Sequence, residues 1–497
     1  FFELHVSMRR PSIVPCLRMA HCLDALRVRR LATLGFDATH FDADDGLQQA
    51  ALQFALHSGL NVLQTDAVSP SQLEGIGAIL GGMKEEALLT DVAPSIHCKI
   101  GHFRSRGTPE WQECHAVRDQ LYHCIHPMYL QYELLQASVA LGQPKLHTAF
   151  INLPFLTTEA RLTPLPDQFM SILYARLELA FQCLEDQVKS GIIHGYGIAS
   201  DSFCIKAPDG TTQGHLSLAK CIALCQRVAG HQHHLRSIQV PLNINESRYY
   251  LCSSPEAHDC NFIEYAQRQG LSVIAERPLV TYGATSGTMQ LYADIGPQAP
   301  MADAAERLGQ RLQEHLNAAI HLEKKVLELL EGHEDVPQRK WHSFAHVLAS
   351  QGTLDRMDNV HSFQKLATQY IRPMLTNLGQ KLKEKNSEEL MEWYRLYRAE
   401  IEGVCGLYTQ VLEHRTHVHN RHLKGQINDL CPDLTSSPSL AQKALRAVLN
   451  TGVDAVACAM PTPRHFKELV QFHGALWDPV DRLQLRGLLG NGRIKHP

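Results

Sequence analysis

Gly191-Ile-Ile-His-Gly-Tyr-Gly-Ile-Ala-Ser-Asp201 is the stretch that decides the fold. It follows residues 175–190, where Leu177, Leu179, Ala180, Cys183, Leu184 and Val188 recur at helical spacing. Gly191 stops that helix, and residues 195–199 read as a short apolar strand. Ser200-Asp201 then forms a small polar strand end. Helix, glycine stop, strand and polar tip make one unit of a parallel α/β barrel.

The unit repeats along the chain. Strands are predicted at 31–36, 60–64, 87–92, 146–153, 237–243, 271–275 and 452–457. Helices are predicted at 45–58, 128–141, 216–228, 261–269, 439–450 and 463–472. This alternation predicts an α/β fold, a (β/α)8 barrel of the TIM type. One interval breaks it. From residue 302 to 429 the chain is helical in character: Leu308, Leu312, Leu316, Ala319, Leu322, Val326 and Leu330 recur every three or four residues. Trp393, Tyr394, Tyr397, Ile401, Val404 and Leu407 do the same further on. Such spacing predicts helices packed on one another, a large all-helical insertion. The predicted organisation is a basic arm or mitochondrial targeting segment (1–30) and barrel units one to seven (31–300). The helical insert (301–430), the last barrel unit (431–475) and a C-terminal tail (476–497) follow.

Composition narrows the partners. The chain has 497 residues, 44% of them hydrophobic, and a formal net charge of −4. That balance gives no global pull toward nucleic acid or anionic lipid, and favours protein partners. No run of 18 apolar residues exists, so no transmembrane segment is predicted. The 14 Cys include no CxxC pair, which suits a reducing compartment. Between residues 8 and 34 stand six Arg (Arg9, Arg10, Arg18, Arg27, Arg29, Arg30) and one acid, Asp24. This pattern predicts a mitochondrial location. His414, His417, His419 and His422 share a helical run, but no acid or Cys completes a metal site; a solvated or partner-facing basic face is expected.

Several further stretches are informative together. They are Ala51-Leu-Gln-Phe-Ala-Leu-His-Ser-Gly-Leu-Asn-Val-Leu63, His126-Pro127, Arg277-Pro-Leu279, Ala441-Gln-Lys-Ala-Leu-Arg446 and Ala459-Met-Pro-Thr-Pro-Arg-His465. With residues 191–201 they resemble the aldo-keto reductases, in particular the subset with a long helical insert before the last unit. The resemblance implies hydride transfer from NADPH to a carbonyl. A Tyr would donate the proton, a Lys would lower its pKa, an Asp would pair with the Lys and a His would orient the substrate.

On this resemblance the catalytic types are replaced. Gln64 stands for the Asp, Ser69 for the Tyr, Asp91 for the Lys and Asn152 for the His. Asp66 falls two residues late and is expected to point elsewhere. No Tyr occurs before residue 122. A displaced set would have to use Lys99, His147 or His97. Possible vestigial cofactor contacts are Ser200, Asp201 (an Asn in the family), Gln239, Arg277 and Arg464, while Ala459 replaces a phosphate-loop glycine. The expectation is a catalytically inactive barrel with no cofactor or metal. It would serve as an accessory subunit of a larger mitochondrial assembly, a respiratory complex or a mitochondrial ribosome. The alternatives are an NADP-dependent oxidoreductase with displaced residues, or an NADP(H) sensor without turnover.

Overall fold

The computed structural model describes residues 33–39, 41–58, 60, 62–85, 94–105, 111, 113–118, 120–153, 167–203, 216–282, 288–291, 302–330, 344–349, 360–471 and 478–490. Eight parallel strands close into a barrel in chain order. They are β1 (Thr33–Asp37), β2 (Val62–Asp66), β3 (Ser95–Ile100), β4 (Leu146–Asn152), β5 (Ile193–Ala199), β6 (Leu235–Pro241), β7 (Ser272–Glu276) and β8 (Ala455–Cys458). Closure runs from β1 to β8, with Thr33 opposite Ala455 and Phe36 opposite Cys458.

The surrounding helices include α1 (Gly46–His57), α2 (Pro70–Glu85), α3 (Pro127–Ala140), α4 (Asp167–Lys189), α5 (Leu218–Ala229) and α6 (Phe262–Arg268). Local chemistry sets their ends. Asp45 caps α1 by accepting from the Leu47 and Gln48 amides. Asn261 and Glu264 form a reciprocal capping box at α6.

Strand faces alternate strictly. Leu63, Ile96, Cys98, Ile100, Ala149, Ile151, Tyr196 and Ile198 point outward into one continuous apolar core with the helices. The inward set is separate: Phe150, Ala199, Ile274 and Ala457 pack as a small cluster inside the barrel. The Phe150 ring fits because β5 offers Gly197 there. A Cβ on Gly197 would lie 2.6 Å from the Ser237 carbonyl oxygen and 2.7 Å from Phe150 Cδ1.

The helical insertion is present. α7 (Ala302–Leu330), α8 (Arg372–Lys383) and α9 (Glu388–Leu430) are its longest members. α9 alone has 43 residues, about 65 Å at the usual rise. Trp393 Nε1 donates to the Leu322 carbonyl at 2.7 Å, and the Tyr397 hydroxyl donates to Glu323 at 2.6 Å. These bonds fasten α9 to α7. Leu423 and Ile427, near the end of α9, belong to the barrel core. The last unit then follows as α10 (Leu440–Leu449), β8 and α11 (Pro463–Gln471), and α12 (Arg482–Gly490) adds a helix within the predicted tail.

Two strand expectations need correction. The second strand runs two residues beyond 60–64, so it ends at Asp66 rather than Gln64. The third barrel strand is Ser95–Ile100, not 87–92; Asp91 lies outside the described residues. Its sequence hides its role: Ile96, Cys98 and Ile100 face the helices, while polar His97 and Lys99 alternate inward. The predicted arm, residues 1–30, also lies outside the described residues.

Gly197→Ala should destabilise the barrel by about 1–3 kcal/mol through overpacking on Phe150. Gly487→Ala, where a Cβ meets nothing within 4 Å, should be neutral or stabilising. Urea-unfolding midpoints of the two variants check this.

Candidate active site

The C-terminal ends of barrel strands carry the chemistry of this architecture. Here Asp37 ends β1, Asp66 ends β2, Lys99 is the penultimate residue of β3, Asn152 ends β4 and Glu276 ends β7. Asp66 and Lys99 are register partners on adjacent strands. Lys99 Nζ is ion-paired with Glu276 across the mouth, and both side chains are largely shielded from water, at 9% and 15% exposure.

One ammonium thus faces three carboxylates. Burial pushes the Asp66 carboxyl up to about 6, and the nearby charges of Asp37 and Glu276 push the same way; the Val68 amide and Lys99 oppose them. Burial lowers the Lys99 pKa, but Glu276, Asp37 and Asp66 outweigh it and the net shift is upward. The Asp37 carboxylate accepts from the Thr39 amide at 2.9 Å and from the Thr39 hydroxyl.

Below this layer the lumen is spanned. Gln239 on β6 donates its side-chain Nε2 to the side-chain Oε1 of Gln64 on the opposite strand β2. Both residues are fully buried. His97 sits in the same interior, its ring 5.7 Å from Phe150. Burial, with His147 nearby, lowers its pKa to about 4, so it is neutral. His147 itself lies at the far end of β4, its ring 4.8 Å from that of His194.

The structure places the sequence-predicted residues unevenly. Asp66 was expected to point elsewhere; instead it ends β2 beside Lys99. Lys99 belongs to β3 itself. The strand-end residues are therefore Asp66 and Lys99 in place of Gln64 and Asp91. Gln64 is an interior residue one layer deeper. Ser69 stands in the turn after β2, its hydroxyl 3.2 Å from that of Ser71. Asn152 ends β4, and its backbone carbonyl contacts His123 Nε2 at 2.8 Å. Counted from Asp66, the fifth residue is Ser71, again a hydroxyl without a phenol's acidity. Glu276 was missed by sequence reasoning; the only signal was an acid directly before Arg277-Pro-Leu279.

Of the five possible cofactor residues, Ser200, Asp201, Arg277 and Arg464 follow the C-terminal ends of strands, while Gln239 lies within β6. Ser200 follows β5, and its amide donates to the Gln239 carbonyl at 3.0 Å. Arg277 follows β7 in a left-handed conformation, φ 54°, and bonds Glu246 at 3.2 Å. Arg464 is exposed on α11. As a set they fit a nicotinamide dinucleotide poorly. The Gln239 amide nitrogen is engaged by Gln64, Arg277 is engaged by Glu246, and Asp201, when ionised, only accepts hydrogen bonds. A mouth of three carboxylates around one lysine also repels an anionic ligand.

Beside the mouth, a cavity of about 120 Å³ lies among Glu113, His115, His123, Ile125, Ile172, Leu173 and Arg176. Arg176 is ion-paired there with Glu113 at 3.1 Å. Among the described residues no group of three His, Cys, Asp or Glu is placed to hold a metal ion. Nor is any helix long and apolar enough to cross a membrane.

Two measurements probe the mouth. Because the folded chain holds the Asp66 proton up to about pH 6 and the unfolded chain releases it near 3.8, folding binds a proton in between. Stability therefore falls as pH rises through that window. Asp66→Asn removes this loss, so its melting temperature should gain on the wild type from pH 4 to pH 7. His97 acts in the opposite sense in both proteins and cancels in the difference. Separately, Gln239→Leu should cost about 1–3 kcal/mol by leaving the buried Gln64 Oε1 without its donor. The Gln64→Leu/Gln239→Leu double variant should recover much of that loss in a double-mutant cycle.

No family model matches the chain, and no curated protein matches it. Solved structures do. The glycerol dehydrogenase from Gluconobacter oxydans is 11% identical, with a TM-score of 0.45, over 93% of this chain and 91% of that one. The aldo-keto reductase from Bacillus halodurans is 15% identical, with a TM-score of 0.34, over 56% and 73%. The aldose reductase from Schistosoma japonicum is 16% identical, with a TM-score of 0.31, over 50% of this chain and 65% of that one. The solved structures that this chain is similar to are thus aldo-keto reductases, and the (β/α)8 barrel itself stands on the strand order.

Proposed function

We propose that the chain is an aldo-keto-reductase-like barrel without carbonyl-reducing chemistry, serving as an accessory subunit of a larger mitochondrial assembly. The Gln64–Gln239 bond carries this reading. It engages, inside the protein, the side-chain nitrogen of Gln239, one of the cofactor contacts that the resemblance implies. Two further features support it. Lys99, the residue type that would acidify a phenol, is ion-paired with Glu276 instead. Ser and Asn stand where the resemblance expects Tyr and His, and loss of a positioned proton donor costs ~10²- to 10⁴-fold in rate. A rigid barrel that keeps its packing without its chemistry remains useful as a surface, and the Arg-rich segment at residues 8–34 is of the mitochondrial targeting type.

A second reading has its own observation. Asp66, with a pKa of about 6, stands beside Lys99 at adjacent strand ends. Such a carboxylic acid could donate a proton near neutral pH, which favours a displaced catalytic set in an NADP-dependent oxidoreductase.

One assay separates the two. The purified chain is incubated with NADPH and a panel of aldehydes, and NADPH absorbance is followed. The accessory-subunit reading expects no consumption above buffer and no melting-temperature shift with NADP(H). Turnover that disappears in Lys99→Met sinks it in favour of the displaced set. A thermal shift without product would instead indicate a sensor. Co-purification of the tagged chain from mitochondria with fixed partner subunits is the positive test of assembly membership.

A further inference from the structure

The outer face of α3 is built to be covered. Its inner side sends Tyr129, Leu130, Leu134 and Ala137 into the barrel core. The other side is apolar as well: Met128 is 67% exposed, Tyr132 49%, Leu135 50% and Val139 69%. These four follow one another at steps of four, three and four residues, so they form one stripe along the helix. The one charged residue of α3, Glu133, is turned inward, where its carboxylate accepts from the Gly101 amide at 2.7 Å. The exposed face therefore carries no charge; Gln131 and Gln136 flank the stripe.

Neighbouring elements widen it. α4 passes close to the start of α3, with Cys183 Sγ 3.4 Å from the Pro127 carbonyl oxygen. On the same side of α4, Leu179 is 57% exposed. The Trp111 ring lies 5.3 Å from that of Tyr132. By contrast, elsewhere α4 carries ordinary solvated pairs, Glu178 with Arg227 and Asp186 with Lys189.

We propose that this face is the contact with a second copy of the chain, formed by α3 packing antiparallel on its symmetry mate. Three observations favour a second copy. A stripe without charge is its own complement, because bringing two together buries no unpaired ion. A four-three-four spacing is the one by which a helix face interdigitates with a facing helix, an equivalent one included. Met128, Tyr132, Leu135, Val139 and Leu179 each leave about half or more of their surface exposed, and Trp111 and the flanking glutamines extend the face on which the ~800 Å² per partner of a stable interface would be buried. Tyr, Trp and Met are also the side chains enriched at such interfaces. The pairing stands apart from the question of catalysis.

The test is the mass of the full-length chain in solution, by light scattering and sedimentation over a wide concentration range. The expected result is a dimer. Leu135→Glu with Val139→Glu should weaken association by roughly a hundredfold, with an unchanged circular-dichroism spectrum. Leu396→Glu, at an exposed leucine of the insert, should leave the dimer intact. Should the double variant misfold, Leu135→Cys provides an independent reading: oxidation should cross-link it between chains, while Leu396→Cys and the wild type stay uncross-linked. A wild-type monomer at about 100 μM, well above ordinary dimer affinities, overturns the proposal. So does a dimer that survives both charge substitutions, or a monomer whose α3 face instead binds a different protein.

Discussion

A closed eight-stranded barrel must fill its own lumen, and that constraint organises this molecule. Side chains from alternate strands have to meet on the axis and fill it. Here Phe150 lies against the bare backbone of Gly197, with Ile274, Ala199 and Ala457 around it. Gln64 and Gln239 complete the filling from opposite walls. A polar bridge in that position does two things at once. It closes the space beneath the mouth, and it couples the two partners, since Gln239 Nε2 and Gln64 Oε1 satisfy each other while Gln64 Nε2 and Gln239 Oε1 are left without a partner.

The layer above is governed by charge rather than volume. Lys99 is stable in its shielded position because Glu276, Asp37 and Asp66 surround it, and Asp66 is hard to ionise chiefly because it is buried, with Asp37 and Glu276 adding to the effect. The same residues that would make a proton relay also make a self-satisfied ion cluster. Which role they play depends on whether anything displaces Glu276 from Lys99. The insert belongs to this economy of packing too. α9 is held to α7 by Trp393 and Tyr397, yet its last turns supply Leu423 and Ile427 to the barrel core. It is keyed into the scaffold and not merely appended.

Much of this was legible beforehand. The units around residues 146–153, 175–199 and 261–275 could be read because glycine stops, helix caps and apolar strands coincide there. The third strand could not. Ser95-Ile-His-Cys-Lys-Ile100 alternates, but its polar half turns toward the lumen and its apolar half toward the helices. The neighbouring run Ala87-Leu-Leu-Thr-Asp-Val92 looks more strand-like by composition alone. That error moved the supposed strand end from Lys99 to Asp91. A two-residue slip at the second strand likewise put Gln64 where Asp66 belongs. The cross-lumen Gln64–Gln239 bond and the Lys99–Glu276 pair join residues 175 or more positions apart, and no local pattern announces such contacts. The short antiparallel sheet of residues 102–123 was missed for a related reason: strands of three or four residues carry too little periodicity to be seen.

The pairing of β1 with β8 has a consequence for the way the chain is made. β1 is synthesised first, and its final neighbour emerges only after seven strands and the entire helical insert. Until then one side of β1 and one side of β7 expose unpaired amides and carbonyls, a template for pairing with the wrong chain. Contacts of such long sequence separation form slowly. The protein should therefore depend on folding helpers during its synthesis, and truncation before the last barrel unit should yield aggregates instead of a smaller soluble barrel.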